Sequence, residues 1–206
     1  MIDVRNTGTI AGYAVGLEAK NKLKNTGDIL SERISKLVGK KGIESTGVLY
    51  VDENGDTKVR KARMISEGHL YLESDKDSNV DLTVSEVKGK TGQIKTKNLN
   101  LNNTYETSYK YQYEKLFGKE GGEIGDRVTQ TSQAKSVGTD ASFDHLHLSI
   151  EGNVNQTGSS LKTNRTTGIV KGDFNTKAGK DLFHRQIDTV TSGTSTRLLL
   201  VAVANL

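Results

Sequence analysis

The chain has 206 residues, a net charge of +4 and no cysteine, so disulfide and thiolate chemistry are excluded. Apolar residues make up 33% and aromatics 5%, which is thin for a compact globule of this length. The charges are interspersed in sign, with no run of five or six alike, which argues against a nucleic-acid groove. There are 22 glycines and no proline. A chain without proline suits a fold in which nearly every backbone N–H is used in a ladder. The opening MIDVRNTGTI lacks a charged stretch followed by an apolar one. No signal peptide is therefore expected, and the chain reads as cytoplasmic or as an internal piece of something longer. No apolar run approaches the roughly 18 residues of a membrane span.

In chain order, Asn6-Thr-Gly-Thr-Ile10 is repeated as Asn25-Thr-Gly-Asp-Ile29, a spacing close to the shortest periods of coiled repeat proteins. Asn and Gly tolerate positive φ, so each triplet reads as a turn that delivers an isoleucine inward. Asp28–Gly39 has two readings. It continues the coil, or Asp28 caps a helix with Leu30, Ile34, Leu37 and Val38 on its apolar face and Gly39 at its end. Gly42–Tyr50 resumes the repeat. Asp52-Glu-Asn-Gly-Asp56 reads as a turn. Its D-x-N-x-D spacing matches half of a calcium loop, but Arg63 stands where that loop needs Glu.

Val59, Met64–Ser66 and His69–Ser74 carry strands onward, with His69 and Tyr71 facing out. Val80–Leu101 is the organising stretch. Its short alternating runs, Val80-Asp-Leu82 and Leu99-Asn-Leu101, have the same offset as the two Asn-Thr-Gly triplets and are joined by Gly, Asn, Lys and Thr. Two-residue alternation means strand. A period near 20 means a coil that repeats along an axis, each turn bonded to the turns above and below. The expected fold is all-β, a right-handed parallel β-helix (solenoid), with repeats over 1–101 and 142–206 and a polar excursion near 102–141. Within that excursion Tyr109, Tyr111 and Tyr113 alternate on one strand face. They either cover a flank of the coil or form a partner-contact patch, since tyrosine offers large area at low entropy cost. Leu146–Leu182 returns to the repeat, with Ile150 and Ile169 again at the same offset. The Ser/Thr-rich tail Thr189–Thr196 leads into LLLVAVANL, expected to be a buried strand.

The runs KGKTGQIKTKNLNL, LSIEGNVNQTGSSLKT and VKGDFNTKAGKDL resemble the haemagglutinin repeats of the filamentous haemagglutinin family. These are very large exoproteins of two-partner secretion systems, among them adhesins and contact-dependent growth inhibition toxins. Gly158-Ser-Ser-Leu161 and Asn6-Thr-Gly-Thr-Ile10 fit the family pattern, and the polar interruption at 102–141 is similar to its second repeat region. The resemblance implies a β-helical stalk, secreted to the bacterial cell surface, with no enzymatic activity of its own and no cofactor. Its partners would be neighbouring repeats, an outer-membrane secretion partner and a target-cell surface or outer membrane, with no nucleic acid. The family's secretion domain and toxin are both missing here.

A competing constellation is Gly125-Asp-Arg-Val128, Gly138 and Asp144-His-Leu-His-Leu-Ser-Ile150. It is similar to the end of zinc endopeptidases that cut peptidoglycan cross-links, where one histidine of an H-L-H pair is a ligand and the other a base. Such a site needs three protein ligands and an open position for water. His145 and His147 would be the pair. After His69, position 73 is Glu rather than Asp, and His184–Asp188 has the family's spacing in the wrong chain order. The bland alternative is that His145 and His147 point outward while Leu146 and Leu148 point in. A polysaccharide-active β-helix would want stacked carboxylates, and Asp75, Asp77 and Asp81 read as ordinary turn charges.

Overall fold

A computed structural model of the chain describes residues 2–191 and 194–205. Met1, Ser192, Gly193 and Leu206, which the repeat assignments and the tail reading include, lie outside the described residues. The described residues are all-β and contain no helix. The strands in order are β1 (Val4–Asn6), β2 (Thr9–Ala19), β3 (Leu23–Asn25), β4 (Asp28–Gly39), β5 (Ile43–Thr46), β6 (Val48–Val51) and β7 (Thr57–Arg60). They continue with β8 (Ala62–Glu73), β9 (Val80–Thr83), β10 (Ser85–Thr96), β11 (Leu99–Asn102), β12 (Thr104–Phe117) and β13 (Glu123–Val137). The last are β14 (Asp140–Ile150), β15 (Val154–Thr157), β16 (Ser160–Val170), β17 (Phe174–Lys177), β18 (Lys180–Thr191) and β19 (Thr194–Asn205).

The strands form three sheets. The first has the order β1-β3-β5-β9-β11-β15-β17 and the second β16-β14-β10-β8-β4-β2. In both, every neighbouring pair is parallel. The third, β19-β18-β13-β12-β7-β6, pairs antiparallel at β7–β12, β13–β18 and β18–β19. The chain divides into two compact units. One holds the described residues up to Tyr50, Val59–Thr104 and Val137–Gly179; the other holds Val51–Lys58, Tyr105–Ser136 and the described residues from Lys180 onward.

In the first unit, register makes the core. Val4, Leu23, Ile43, Val80, Leu99, Val154 and Phe174 stand in one column across the first sheet. Leu17, Leu37, Leu72, Ile94 and Leu148 form a column of the second. Most of these side chains are fully buried and belong to one apolar cluster. Each buried Leu, Ile or Val contributes roughly 1.5–3 kcal/mol relative to exposure. Where no insertion intervenes, successive partners keep nearly one period, as in Val4↔Leu23, Leu23↔Ile43, Leu72↔Ile94 and Met64↔Val87. The separation widens at Ile43↔Val80 and at Leu99↔Val154, because β6–β7 and β12–β13 are inserted there. Both insertions fall at the connection from a first-sheet strand to a second-sheet strand.

Asp28–Gly39 is a strand, and the helical alternative is corrected. A helix would have turned Leu30 and Ile34 inward; instead both are half-buried and Ile29, Ser31, Ser35 and Leu37 face the core. The inward serines are satisfied by one another. Ser31 Oγ donates to Ser66 Oγ at 2.9 Å and Ser35 Oγ donates to Ser31 Oγ at 2.8 Å. Asp28 accepts two bonds from Arg63, at 2.9 and 2.7 Å, instead of capping a helix. The stretch between Val84 and Leu99, which the sequence presents as linker, is occupied by the 12-residue strand β10. Inward Val87 and Ile94 alternate there with outward Lys and Gln, and the register shifts between Gly89 and Thr91. The segment expected to hold repeats over 142–206 divides. Strands β14 to β17 pair in parallel, whereas β18 and β19 pair antiparallel. The tail is a strand but not a buried one. Leu198–Val201 and Val203 are all more than half exposed, and since successive residues point to opposite faces, neither face of β19 is covered there.

Buried polar groups continue the columns. Asn6 Nδ2 donates to Asn25 Oδ1 at 2.9 Å and to the Asp28 carbonyl at 3.0 Å. Asn25 Nδ2 donates to the Arg63 carbonyl at 3.2 Å. Among the described residues no buried side-chain N or O lacks a hydrogen bond, as the high cost of burying an unmet polar group requires. Outside the core a second ladder climbs the first sheet. Asn100 Nδ2 donates to Asp81 at 2.6 Å, Asn155 to Asn100 at 2.8 Å and Asn175 to Asn155 at 2.9 Å. Val84 joins β9 to β10 as a single buried residue at φ 50°, the value Gly158 takes between β15 and β16. A β-branched residue there costs about 1–3 kcal/mol. Val84 is held by its N–H to the Asn102 carbonyl and by the Ala62 N–H to its own carbonyl, at 3.1 and 3.3 Å.

Close packing makes Gly92 irreplaceable. A Cβ there would stand 2.5 Å from the Phe143 ring and 3.0 Å from Leu146. Gly92→Ala is expected to destabilise the fold by about 1–3 kcal/mol, read as a lower urea midpoint at unchanged m-value. A second expectation concerns acid. The Arg63 hydrogen bonds, aided by the charges of Arg63 and Arg60, outweigh burial and hold the Asp28 carboxyl below its ordinary 3.8. A depressed carboxylate contributes stability above its unfolded value and loses it as pH falls through the folded value. Asp28→Asn should therefore flatten the loss of thermal stability below pH 3.8 while lowering stability at neutral pH.

Candidate interaction surface

The strand β12 reads TYETSYKYQYEKLF. Period-two alternation puts Tyr105, Thr107, Tyr109, Tyr111, Tyr113, Lys115 and Phe117 on one face. Tyr109, Tyr111 and Tyr113, the residues singled out from sequence, are 58%, 57% and 53% exposed. Their Cα atoms step along the strand by about 6.7 Å per pair of residues. Tyr113 is anchored, since its O–H donates to the Asp126 carboxylate on β13. That bond, followed by burial and the Asp126 charge, raises the phenol above its usual value, so Tyr113 is a neutral donor at physiological pH. Beside it Lys115 Nζ donates to Glu123 at 2.8 Å, and Arg127 lies 3.5 Å from Glu114. These exposed pairs add little stability. Tyr109 carries no such tether and stands over a groove whose other walls come from β13, β18 and β19. Sequence reasoning missed Ser132, Gln133 and Phe183, which line that groove with Tyr109, and read His184 only as half of a zinc motif, because these residues lie on strands remote from Tyr109 in the chain.

The histidines singled out from sequence are not gathered. His145 and His147 face outward on β14, and Leu146 and Leu148 beside them are buried. His147 Nδ1 is 3.1 Å from Thr167 Oγ1, and His145 lies in register with Thr91 and Arg165. His69 contacts Thr91 Oγ1 and packs beside Tyr71 at 6.4 Å. Asp188, the spacing partner of His184, is engaged by Arg197 and Gln186, each at 2.7 Å. No group of three or more metal-ligating side chains occurs among the described residues, so the zinc reading lacks its third ligand there. At the D-x-N-x-D turn, Asp52 Oδ1 accepts from the Asn54 and Asp56 N–H groups at 2.9 and 3.0 Å. Lys58 lies 3.4 Å from Asp56, so these carboxylates serve the turn.

A protein of Histophilus somni (strain 2336), "Protein adenylyltransferase and cysteine protease IbpA", is 46% identical to the chain over 179 residues. The match covers 87% of this chain and 4% of that protein, which is therefore several thousand residues long. No family model matches the chain, and no solved structure matches it. The expectation of a protein without enzymatic activity is corrected by this relative, which is named for two activities. Composition does not signal them, because a segment amounting to 4% of a protein need not display that protein's chemistry. The 206 residues contain no cysteine, so none of them is the thiol of a cysteine protease.

Proposed function

We propose that the chain is a right-handed parallel β-helix segment of a very large secreted exoprotein of the filamentous haemagglutinin type, one that also bears enzymatic domains. The supporting observation is the register. Strands of two sheets alternate along the chain, and each pairs in parallel with its counterpart one period on. Parallel strands joined by a crossover are right-handed in about 98% of cases, which supports that hand. The several-thousand-residue relative supports the scale. In such a protein the segment acts as a stalk at the bacterial surface. Each turn of the coil adds about 4.8 Å of length, and stability is a sum over turn-to-turn contacts. Neighbouring repeats and an outer-membrane secretion partner are its partners within the secreting cell.

The stalk serves adhesion, or it carries an enzymatic or toxic domain to a target cell. The tyrosine face of β12 is the surface that meets the target, because Tyr109, Tyr111 and Tyr113 present rings that no core covers. A labelled sample of the chain should bind target cells, and replacing all three tyrosines by serine should reduce that binding roughly tenfold with an unchanged circular dichroism spectrum. Equal binding by the variant would refute the contact assignment. An experimental structure with a left-handed coil, or with no coil, would refute the β-helix.

A further inference from the structure

Three of the chain's four histidines, His69, His145 and His147, stand outward on the second sheet. His145 and His147 are two positions apart on β14, so they leave the same face with Cα atoms about 6.7 Å apart. Buried Leu146 and Leu148 fix that strand from the other face, and both histidines are exposed. His147 Nδ1 lies 3.1 Å from Thr167 Oγ1 on β16. A neutral ring with its proton on Nδ1 donates to that hydroxyl and keeps a lone pair on Nε2. An outer partner of this kind, on the second ring nitrogen, is what a metal-binding histidine has. The neighbours in register are Thr91 and Gln93 on β10, and Arg165 and Thr167 on β16. Asp144 precedes His145 and accepts from Asn164 Nδ2 at 3.3 Å. One carboxylate thus stands beside the pair to offset the charge of Arg165.

We propose that His145 and His147 chelate a divalent transition-metal cation, Cu²⁺ foremost, on the outer face of the second sheet. Exposed side chains change rotamer within nanoseconds. At this spacing two imidazoles can each bring Nε2 to the roughly 2.0–2.1 Å of a metal–nitrogen bond. The site differs from a catalytic zinc centre, which needs three protein ligands. Here the chain supplies two nitrogens, and the remaining positions stay open to water or to a donor from another molecule. Imidazole suits Cu²⁺, Ni²⁺ and Zn²⁺, with Cu²⁺ the tightest, whereas Mg²⁺ and Ca²⁺ take oxygen ligands. His69 is not a third ligand. It lies in the same row as His145 but two strands away, about 9.6 Å, with Thr91 in register between them and in contact with its Nδ1. The proposal goes beyond the stalk reading and does not rest on it.

The test is calorimetric titration of the whole chain, prepared without a histidine tag, with Cu²⁺, Ni²⁺, Zn²⁺ and Mg²⁺ in turn. Cu²⁺ should bind at one equivalent with a dissociation constant of about 10 μM, Ni²⁺ and Zn²⁺ more weakly and Mg²⁺ not at all. The electron paramagnetic resonance spectrum of the Cu²⁺ form should show hyperfine lines from two imidazole nitrogens. His145→Ala and His147→Ala should each weaken Cu²⁺ binding at least about tenfold. His69→Ala and His184→Ala should each leave it within about twofold. All four variants should keep the circular dichroism spectrum and melting curve of the parent, since His145 and His147 are exposed and pack on no core residue. Acidification should release the metal, because a protonated imidazole is not a ligand. Absence of Cu²⁺ binding up to about 1 mM, equal uptake of Mg²⁺, or full affinity in either His145→Ala or His147→Ala overturns the proposal. So does a tenfold loss in His69→Ala or His184→Ala, which would place the ion elsewhere.

Discussion

Parallel register is the constraint on which the rest depends. A first-sheet strand of three or four residues cannot satisfy its own backbone, and it exists because of a neighbour one period away in the chain. Once that neighbour is in place, column follows column. Val80 lies on Leu99, Asp81 on Asn100 and Leu82 on Leu101. A slip of one residue would send Val80 and Leu82 outward and bring Asp81 in. The apolar column and the asparagine ladder outside it therefore enforce the same alignment from opposite faces.

The consequences reach the residues that do not fit the ladder. Position 92 is glycine because Phe143, one strand away, uses the space a Cβ would take. Val84 bears a left-handed backbone because both of its peptide groups are bonded to other strands of the stack. Asp28 and Arg63 lie in register on β4 and β8, so their bidentate pair closes across an insertion although 35 positions separate them. Local preference yields in each case to what the stack demands, which is the general order of strengths when tertiary contacts oppose propensity.

The third sheet obeys other rules. Its long strands pair antiparallel, and many of their apolar side chains are exposed, among them Tyr109, Tyr111, Tyr113, Phe117 and Leu198–Val201. A sheet that does not commit its side chains to a core has them available for partners, so aromatic rings collect there. Loops and insertions carry recognition on a rigid scaffold for the same reason. The relative of several thousand residues gives this division a context, since a short segment of so long a chain can be scaffold along one part and contact surface along another.

Much of this is legible in the chain. The offset between Asn6-Thr-Gly-Thr-Ile10 and Asn25-Thr-Gly-Asp-Ile29 is the observed register of β2 on β4, and the Val80/Leu99 offset is that of β9 on β11. Repetition of inward residues is a local property, so composition and spacing reveal it. Outward alternation at His145 and His147 is equally local. Asp28–Gly39 is ambiguous in sequence because its apolar residues suit a helical face and a strand alike, and only Ser66 and Arg63, far along the chain, decide for the strand. The tail departs from expectation because an apolar run says that burial is favourable, not that anything packs on the faces of its strand to provide it. By itself the sequence determined the period, the inward beads and the strand character of the runs that carry them. Tertiary structure alone decided which insertions meet in one antiparallel sheet, and that Tyr109 shares a groove with Gln133 and His184, because those contacts join strands whose separation in the chain leaves no periodic trace.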